Sequence, residues 1–393
     1  MVALLLFLVL LPIAFSIPGL VAADENSLIV LDNGVGHRSL TETAPYVPLP
    51  LSSNYPLTVN STYPTNNITS PAPAKNSHLI HYFLQSPIPR WRTSLRSIST
   101  SGRNAHIFTQ YGPVPPNNYT TVEPINAYAL GYSNSTSSLY LGTGSGLLRT
   151  DLNGTNARTV SNASDVASIY VSEKTEKVYY GTSHDGLIRR SNLDGTSVEI
   201  FRNVSQGIEF GQARRSPSGI VVDEDEGWVY WSASNGEDDG SIRRVKLNGD
   251  EEQVLAEGLN MPGQLRINSG MLYWCEKGRW LNSPTSLSRA RLPLSASNST
   301  VRGMRESEIV VHSNHTAIFF EYDSVEKQTL GITSFVFNED ADRLWFVMES
   351  SNRVIFSKMV EVRLPSKALK LMNWEAEDLG VPMGIEYVQK ERR

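Results

Sequence analysis

The stretch Pro217-Ser218-Gly219-Ile220-Val221-Val222-Asp223, followed by Val229-Tyr230-Trp231-Ser232 and then Ile242-Arg243-Arg244-Val245-Lys246-Leu247-Asn248-Gly249, decides the architecture of this 393-residue chain. The first run is rich in β-branched residues, and the acidic turn Glu224-Asp225-Glu226-Gly227 joins it to the aromatic second run. In the third run, alternation puts Ile242 and Arg244 on one face of a strand. Asn248-Gly249 is a hairpin signal of the type I′ kind, in which both central residues take positive φ.

The unit recurs along the chain. Leu139-Tyr140-Leu141-Gly142, Val178-Tyr179-Tyr180-Gly181, Leu272-Tyr273-Trp274-Cys275 and Leu344-Trp345-Phe346-Val347 repeat the aromatic run. Two of the gaps fall near the roughly 40 to 50 residue period of four-stranded propeller blades. The longer gaps hold polar insertions, around Arg202 to Ser216 and from Ser295 to Thr329. The closing phrase returns as Leu147 to Gly154 and as Ile188 to Gly195. Four short strands per repeat, tight turns and little amphipathic helix describe an all-β, radial fold. Near the C-terminus, Val381-Pro382-Met383-Gly384-Ile385-Glu386-Tyr387-Val388 repeats the blade-opening phrase once more, with only five residues after it. A lone first strand exposes an open edge, so the missing three strands are expected from the N-terminal side: His78 to Leu84, Trp91 to Ser99 and Ala105 to Thr109. With five blades between Asn126 and Leu371, the composite makes a six-bladed β-propeller over residues 78–393, its sixth blade closed by N- and C-terminal strands.

Upstream, residues 1–23 carry no charged side chain and end in Val21-Ala22-Ala23, as a signal peptide with a small-residue cleavage site does. Residues 24–77 are dominated from Thr41 onward by Pro, Ser, Thr and Asn and read as a disordered linker. The short apolar run Leu28-Ile29-Val30-Leu31 is left unassigned. Nine sequons, at Asn60, Asn67, Asn118, Asn134, Asn153, Asn162, Asn203, Asn298 and Asn314, fit a secreted, extracellular glycoprotein whose acceptors lie on surface turns. With one cysteine, Cys275, the chain has no internal disulfide and relies on its core. A net charge of −5 gives no basic footprint for nucleic acid, and after signal cleavage no transmembrane segment is expected. The protein reads as a monomer.

The repeat phrases resemble the YWTD (low-density lipoprotein receptor class B) repeats, whose blades read P-x-G-I-x-V-D, L-Y-W-T-D and I-x-R-x-x-L-D-G. The resemblance covers residues 120 to 390 and is strongest over 165–200 and 217–256. It maps the family's tyrosine and tryptophan onto Tyr230 and Trp231, or Tyr273 and Trp274, and its arginine onto Arg149, Arg190, Arg244 and Arg289. The family's Asp is replaced at every repeat, by Thr143, Thr182, Ala233, Glu276 and Met348, which marks a divergent member with altered blade contacts. The fifth repeat has Phe356 in place of the arginine, and the Cys-rich modules that usually follow such propellers are absent from the sequence.

Enzyme signatures are weak. Gly142-Thr143-Gly144-Ser145-Gly146 precedes a strand and not a helix, so it is a hairpin turn and not a phosphate loop. His312 and His315 lack an HExxH pattern, and Cys275 on an aromatic strand reads as a small buried residue. By fold analogy, the loops joining second to third strands and blade to blade surround the channel mouth. They carry His184, Asp185, Arg214, Arg215, Glu237, Asp238, Asp239, Glu276, Lys277, Arg279, Trp280 and Glu349. A Trp among mixed charges suits a partner surface. The leading expectation is therefore a non-catalytic module binding an extracellular protein or glycan, without a cofactor. The alternative is a metal-dependent, lactonase-like hydrolase on the same six-bladed frame, in which calcium or another hard divalent ion would take oxygen ligands.

Overall fold

The computed structural model describes residues 27–32, 94–100, 106–110, 127–205, 216–235, 239–277, 285–292, 307–312, 330–350, 358–364, 366–371 and 382–388. These form six four-stranded antiparallel sheets. Strands β1 (Ser27–Asp32), β2 (Ser94–Ser99) and β3 (His106–Gln110) come first along the chain. Blade 1 then holds β4 (Ala127–Ser133), β5 (Ser138–Thr143), β6 (Gly146–Asp151) and β7 (Arg158–Ser161). Blade 2 holds β8 (Val166–Ser172), β9 (Lys177–Thr182), β10 (Leu187–Asn192) and β11 (Glu199–Asn203). Blade 3 holds β12 (Ser216–Asp223), β13 (Trp228–Ser234), β14 (Gly240–Lys246) and β15 (Gln253–Leu259), and blade 4 holds β16 (Pro262–Asn268), β17 (Met271–Glu276), β18 (Ser286–Arg291) and β19 (Glu308–His312). Blade 5 holds β20 (Leu330–Phe337), β21 (Arg343–Ser350), β22 (Lys358–Arg363) and β23 (Ala368–Leu371).

Blade 6 is the expected composite, with one correction. Its order is β24 (Pro382–Val388), β1, β2, β3. The strand beside β24 is thus the unassigned Leu28–Leu31 run and not His78–Leu84, which lies outside the described residues. Val30 pairs with Ile385 on one side and with Arg96 on the other. A strand between two others must satisfy both ladders, and β1 does so over its whole length. Residues 33–93 therefore connect the second strand of blade 6 to its third, and the propeller starts ahead of the Pro-rich stretch, not at residue 78.

The aromatic strands are buried on both faces because each blade is sandwiched between two others. In β13 every residue from Trp228 to Ser234 is buried. Alternation divides them: Val229, Trp231 and Ala233 join Tyr179 and Ile188 of blade 2, whereas Trp228 and Tyr230 join Leu265, Leu272 and Trp274 of blade 4. The first strands approach closely. A Cβ on Gly219 would collide with the Gly263 carbonyl of the next blade, which itself accepts a 2.6 Å hydrogen bond from Ser232 Oγ. This explains the glycine of the opening phrase.

The Asn-Gly turns differ from the type I′ expectation. After Lys246 the strand resumes only at Gln253, and positive φ falls on Gly249 and again on Glu251, not on Asn248. Asn248 instead uses its side-chain oxygen to accept from the Asp250 N–H at 3.0 Å. Asn153 and Asp194 do the same with Thr155 and Thr196. An Asx-type bond of this kind competes with the two-residue turn and favours the wider loop.

Candidate functional site

The connections between second and third strands, and between blades, lie together at one end of the barrel of blades, as the alternating strand directions require. Of the expected mouth residues, Arg214, Arg215, Glu237, Asp238, Arg279 and Trp280 lie outside the described residues. Asp185 sits in the β9–β10 turn, where it accepts from Thr182 Oγ1, from the Leu187 N–H at 3.2 Å and from Arg189 Nη2 at 2.5 Å. Partial burial works to raise its pKa, but the bonds from Arg189 and Thr182 outweigh it and hold the carboxyl below its ordinary range. His184 beside it is exposed. Asp239 accepts from the Asn235 N–H at 3.3 Å across the β13–β14 turn. Glu276 accepts from the Asn260 N–H at 2.9 Å and from Trp274 Nε1 at 3.3 Å, tying the link between blades 3 and 4 to β17. The Lys277 N–H donates to Met261 O at 3.1 Å, and Glu349 is paired in register with Gly331. The carboxylates of Asp185, Asp239 and Glu276 thus serve their own turn or link.

These bonds also show what fills the places of the absent motif Asp. Thr143 Oγ1 accepts from the Gly146 N–H at 3.0 Å and donates to its carbonyl at 2.8 Å, closing the β5–β6 turn. Thr182 does comparable work with Asp185, and Glu276 takes the blade-link role with one more methylene. Ala233 and Met348 are buried without such bonds among the described residues.

The conserved geometry of the repeat is a row of side chains facing the next blade. Strand register aligns Gly131, Tyr140, Arg149 and Arg158 in blade 1. The matching rows are Tyr170, Tyr179, Arg190 and Glu199 in blade 2, Val221, Tyr230, Arg244 and Gln253 in blade 3, and Arg266, Tyr273, Arg289 and Glu308 in blade 4. The Tyr140 hydroxyl donates to Leu193 O of the next blade at 2.6 Å, and Arg149 Nη1 reaches the same carbonyl at 3.3 Å. Arg190 Nη1 reaches Leu247 O at 3.1 Å. Arg244 and Arg289 lean on the phenol oxygens of Tyr230 and Tyr273 at 3.4 and 3.3 Å. In blades 1 and 2 the repeated arginine is therefore a latch to the next blade, whereas Arg244 and Arg289 also bond Gln253 and Glu308 of their own blades. In blade 5 the row reads Val336, Trp345, Glu361 and Lys370. Buried Glu361, and not Phe356, occupies the arginine's place, and Trp345 stacks on Tyr387 of blade 6 at 6.1 Å between ring centroids.

Three residues of the innermost strands were not singled out by the sequence reading. Arg266 on β16 crosses from blade 4 past blade 5, donating to Phe335 O at 2.7 Å, and reaches blade 6 at Ile385 O (3.3 Å) and Glu386 Oε1 (2.8 Å). Burial raises the Glu386 pKa above its ordinary range, with Arg266 working against it. Tyr170 from blade 2 lies within electrostatic reach of both charges, and burial, followed by Glu224, pushes its phenol up. Aligning the opening phrases reveals the signal: Arg266 and Glu386 stand at one strand position where the other blades have Gly131, Tyr170, Val221 and Val336. Cys275 is buried, and burial pushes its thiol up to about 11, as expected for an inert residue. Among the described residues, no three His, Cys, Asp or Glu side chains are grouped to hold a metal ion. The described sequon asparagines, Asn134, Asn153, Asn162 and Asn203, are all exposed; Asn60, Asn67, Asn118, Asn298 and Asn314 lie outside the described residues.

No protein-family model matches the sequence. Over 152 residues the chain is 27% identical to low-density lipoprotein receptor-related protein 1 of Pyricularia oryzae, a match covering 34% of this chain and 49% of that protein. The chain thus spans about half the length of the curated relative it matches. The crystal structure of a nidogen/laminin complex superposes with a TM-score of 0.52 at 13% identity, covering 76% of this chain and 95% of that one. A periplasmic gluconolactonase of Pseudomonas aeruginosa, PpgL, superposes with a TM-score of 0.45 at 9% identity, covering 77% and 96%. The blade register and the first superposition define a six-bladed β-propeller. Together with the sequence match, they make the chain a distant homologue of low-density lipoprotein receptor-related protein 1 through its YWTD repeats.

Proposed function

We propose that this protein is a secreted, N-glycosylated, non-catalytic binding module whose ligand, an extracellular protein or glycan, docks at the mouth formed by the second-to-third-strand and blade-to-blade connections. The observation that carries this reading is the asymmetry of the two ends. At the opposite end the first-to-second-strand connections are residues 134–137, 173–176, 224–227, 269–270 and 338–342, and the third-to-fourth-strand connections are 100–105, 152–157, 193–198, 247–252, 292–307 and 364–367. At the mouth the chain spends residues 33–93, 111–126, 204–215, 313–329 and 372–381. Long connections on a rigid frame are where binding residues concentrate. The nidogen of the superposed structure is in complex with laminin, which fits a propeller that recognises another protein.

The test is a screen of the secreted chain against a glycan array and a panel of immobilised extracellular proteins. Hits are compared with His184→Ala and Lys277→Ala variants. Binding weakened by these mouth substitutions, with unchanged thermal stability, supports the reading. A blank screen, coupled with lactone hydrolysis and a rise in melting temperature on adding calcium or zinc, would replace it with the hydrolase.

A further inference from the structure

Among the described residues, two large apolar side chains at the rim are more than half exposed, Ile200 at 63% and Ile309 at 51%. They occupy one position of the repeat, since Ile200 faces Arg189 and Ile309 faces Ser288 on the outer strands β11 and β19. In blade 2, Val198 adds a second apolar side chain just ahead of the strand, 47% exposed. The far edge of β11 pairs with no further strand of its sheet. An apolar outermost strand of this kind is a template for self-association.

Asn203 closes the same strand. Three residues after Ile200 it would ordinarily point to the other face, but the register slips by one between Ile188 and Arg189. Arg189 therefore faces Ile200 while Leu187 faces Asn203, and Leu187 and Arg189 share a face by alternation. The bulge puts Asn203 and Ile200 side by side, about two strand rises or roughly 7 Å apart. The corresponding place holds Gln110, Glu257 and His312 in blades 6, 3 and 4, none of them a sequon, and in blade 1 it holds Asn162, a sequon asparagine that follows Thr159 and not an apolar side chain at the place of Ile200. Asn203 is exposed, and its side-chain oxygen accepts from the Ser205 N–H at 2.9 Å, so the amide nitrogen is the end that projects.

The geometry points to an N-linked glycan on Asn203 as the cover of the apolar rim of blade 2, its first sugars lying over Ile200 and Val198. The inference rests on passage of the chain through the secretory pathway. In the transfer, Asn203 Nδ2 bonds to the anomeric carbon of a lipid-pyrophosphate-linked oligosaccharide. The bond from that carbon to the phosphate oxygen breaks, the lipid pyrophosphate leaves, and an amide proton passes to a base of the transferring enzyme. The glycan then supplies bulk and hydration where the sheet ends, so that the exposed strand cannot pair with a second copy.

The full chain, secreted from a eukaryotic host, tests this by glycopeptide mass spectrometry, binding of an apolar dye and sedimentation over a range of concentrations. Asn203 should be occupied in most molecules. Asn203→Gln, and separately Ser205→Ala, should raise dye binding several fold and produce self-association, and adding Val198→Thr with Ile200→Thr should reverse both. Enzymatic removal of the glycan from the folded protein should reproduce the effect if either variant fails to fold. Occupied sequons elsewhere with Asn203 bare would overturn this inference alone, as would bare Asn203 variants that stay monomeric and dye-silent. Sugar on no sequon at all would overturn the secretory reading, and this inference with it.

Discussion

Replacing Arg266 by Leu should be among the most damaging single changes in the propeller, and its cost should depend on pH. The guanidinium has three partners on two other blades: the carbonyls of Phe335 and Ile385 and the carboxylate of Glu386. Removing one side of a buried ion pair costs about 3–5 kcal/mol, because the remaining charge is left without compensation. The Glu386 pKa is already raised by burial in the presence of Arg266. For a carboxyl whose folded pKa exceeds its unfolded value, the native state binds the proton more tightly. Its relative stability is then greatest below the unfolded pKa and falls as pH rises through the folded one. Without Arg266 that folded value moves further up, so the penalty should be full at pH 7.5 and smaller by about 1 kcal/mol or more at pH 5. Glu386→Gln removes the opposite charge but leaves Arg266 bonded to both carbonyls, so it should cost less than Arg266→Leu, and the stability of that variant should lose the part of the pH dependence that Glu386 contributes. Urea unfolding of the three proteins at both pH values measures this directly. An Arg266→Leu penalty below about 1 kcal/mol, or one equal at the two pH values, would refute the reasoning.

Three further outcomes are expected. Gly219→Ala should destabilise blades 3 and 4 by several kcal/mol, in the range of backbone strain and overpacking combined, read as a large drop in urea midpoint; a change within the scatter of surface substitutions would mean that the strands part readily. Tyr140→Phe removes the 2.6 Å bond to Leu193 O and should cost about 1–3 kcal/mol, since it strands a buried carbonyl whose remaining partner, Arg149, is longer at 3.3 Å. Deleting residues 24–70 should abolish cooperative unfolding because it removes β1, whereas deleting only residues 1–23 should leave the melting curve unchanged.

The blades and their closure were legible because an aromatic strand flanked by a Gly-Ile phrase and an Arg phrase is a long, redundant signal. The strand β1 was not. Four apolar residues ahead of a Pro-rich stretch carry no neighbouring turn or aromatic partner, and what identifies Leu28–Leu31 as a strand is the pair of ladders on either side of it. The candidate mouth was legible as a set of connections but not as a set of free charges. Asp185 and Glu276 look like surface carboxylates in sequence, yet their bonds to Arg189 and to the Asn260 N–H make them parts of turns. The Thr182, Asp185 and Arg189 spacing could have hinted at the first of these. The Arg266–Glu386 pair spans 120 residues and two blade boundaries, a distance over which no local pattern operates.

The composite blade also sets a timetable for synthesis. Of the described strands, β1 leaves the ribosome first and β24 last, yet Ser27 must pair with Val388 before the ring is shut. Throughout translation of everything between them, β1 waits with one ladder unmade, and contacts of such large sequence separation are slow to form. A chain halted in blade 5 would display that unfinished edge to chaperones and to other copies of itself. Closure of the ring waits for the last of the described strands to be made, so a chain cut short of β24 is exposed as defective by its half-paired β1.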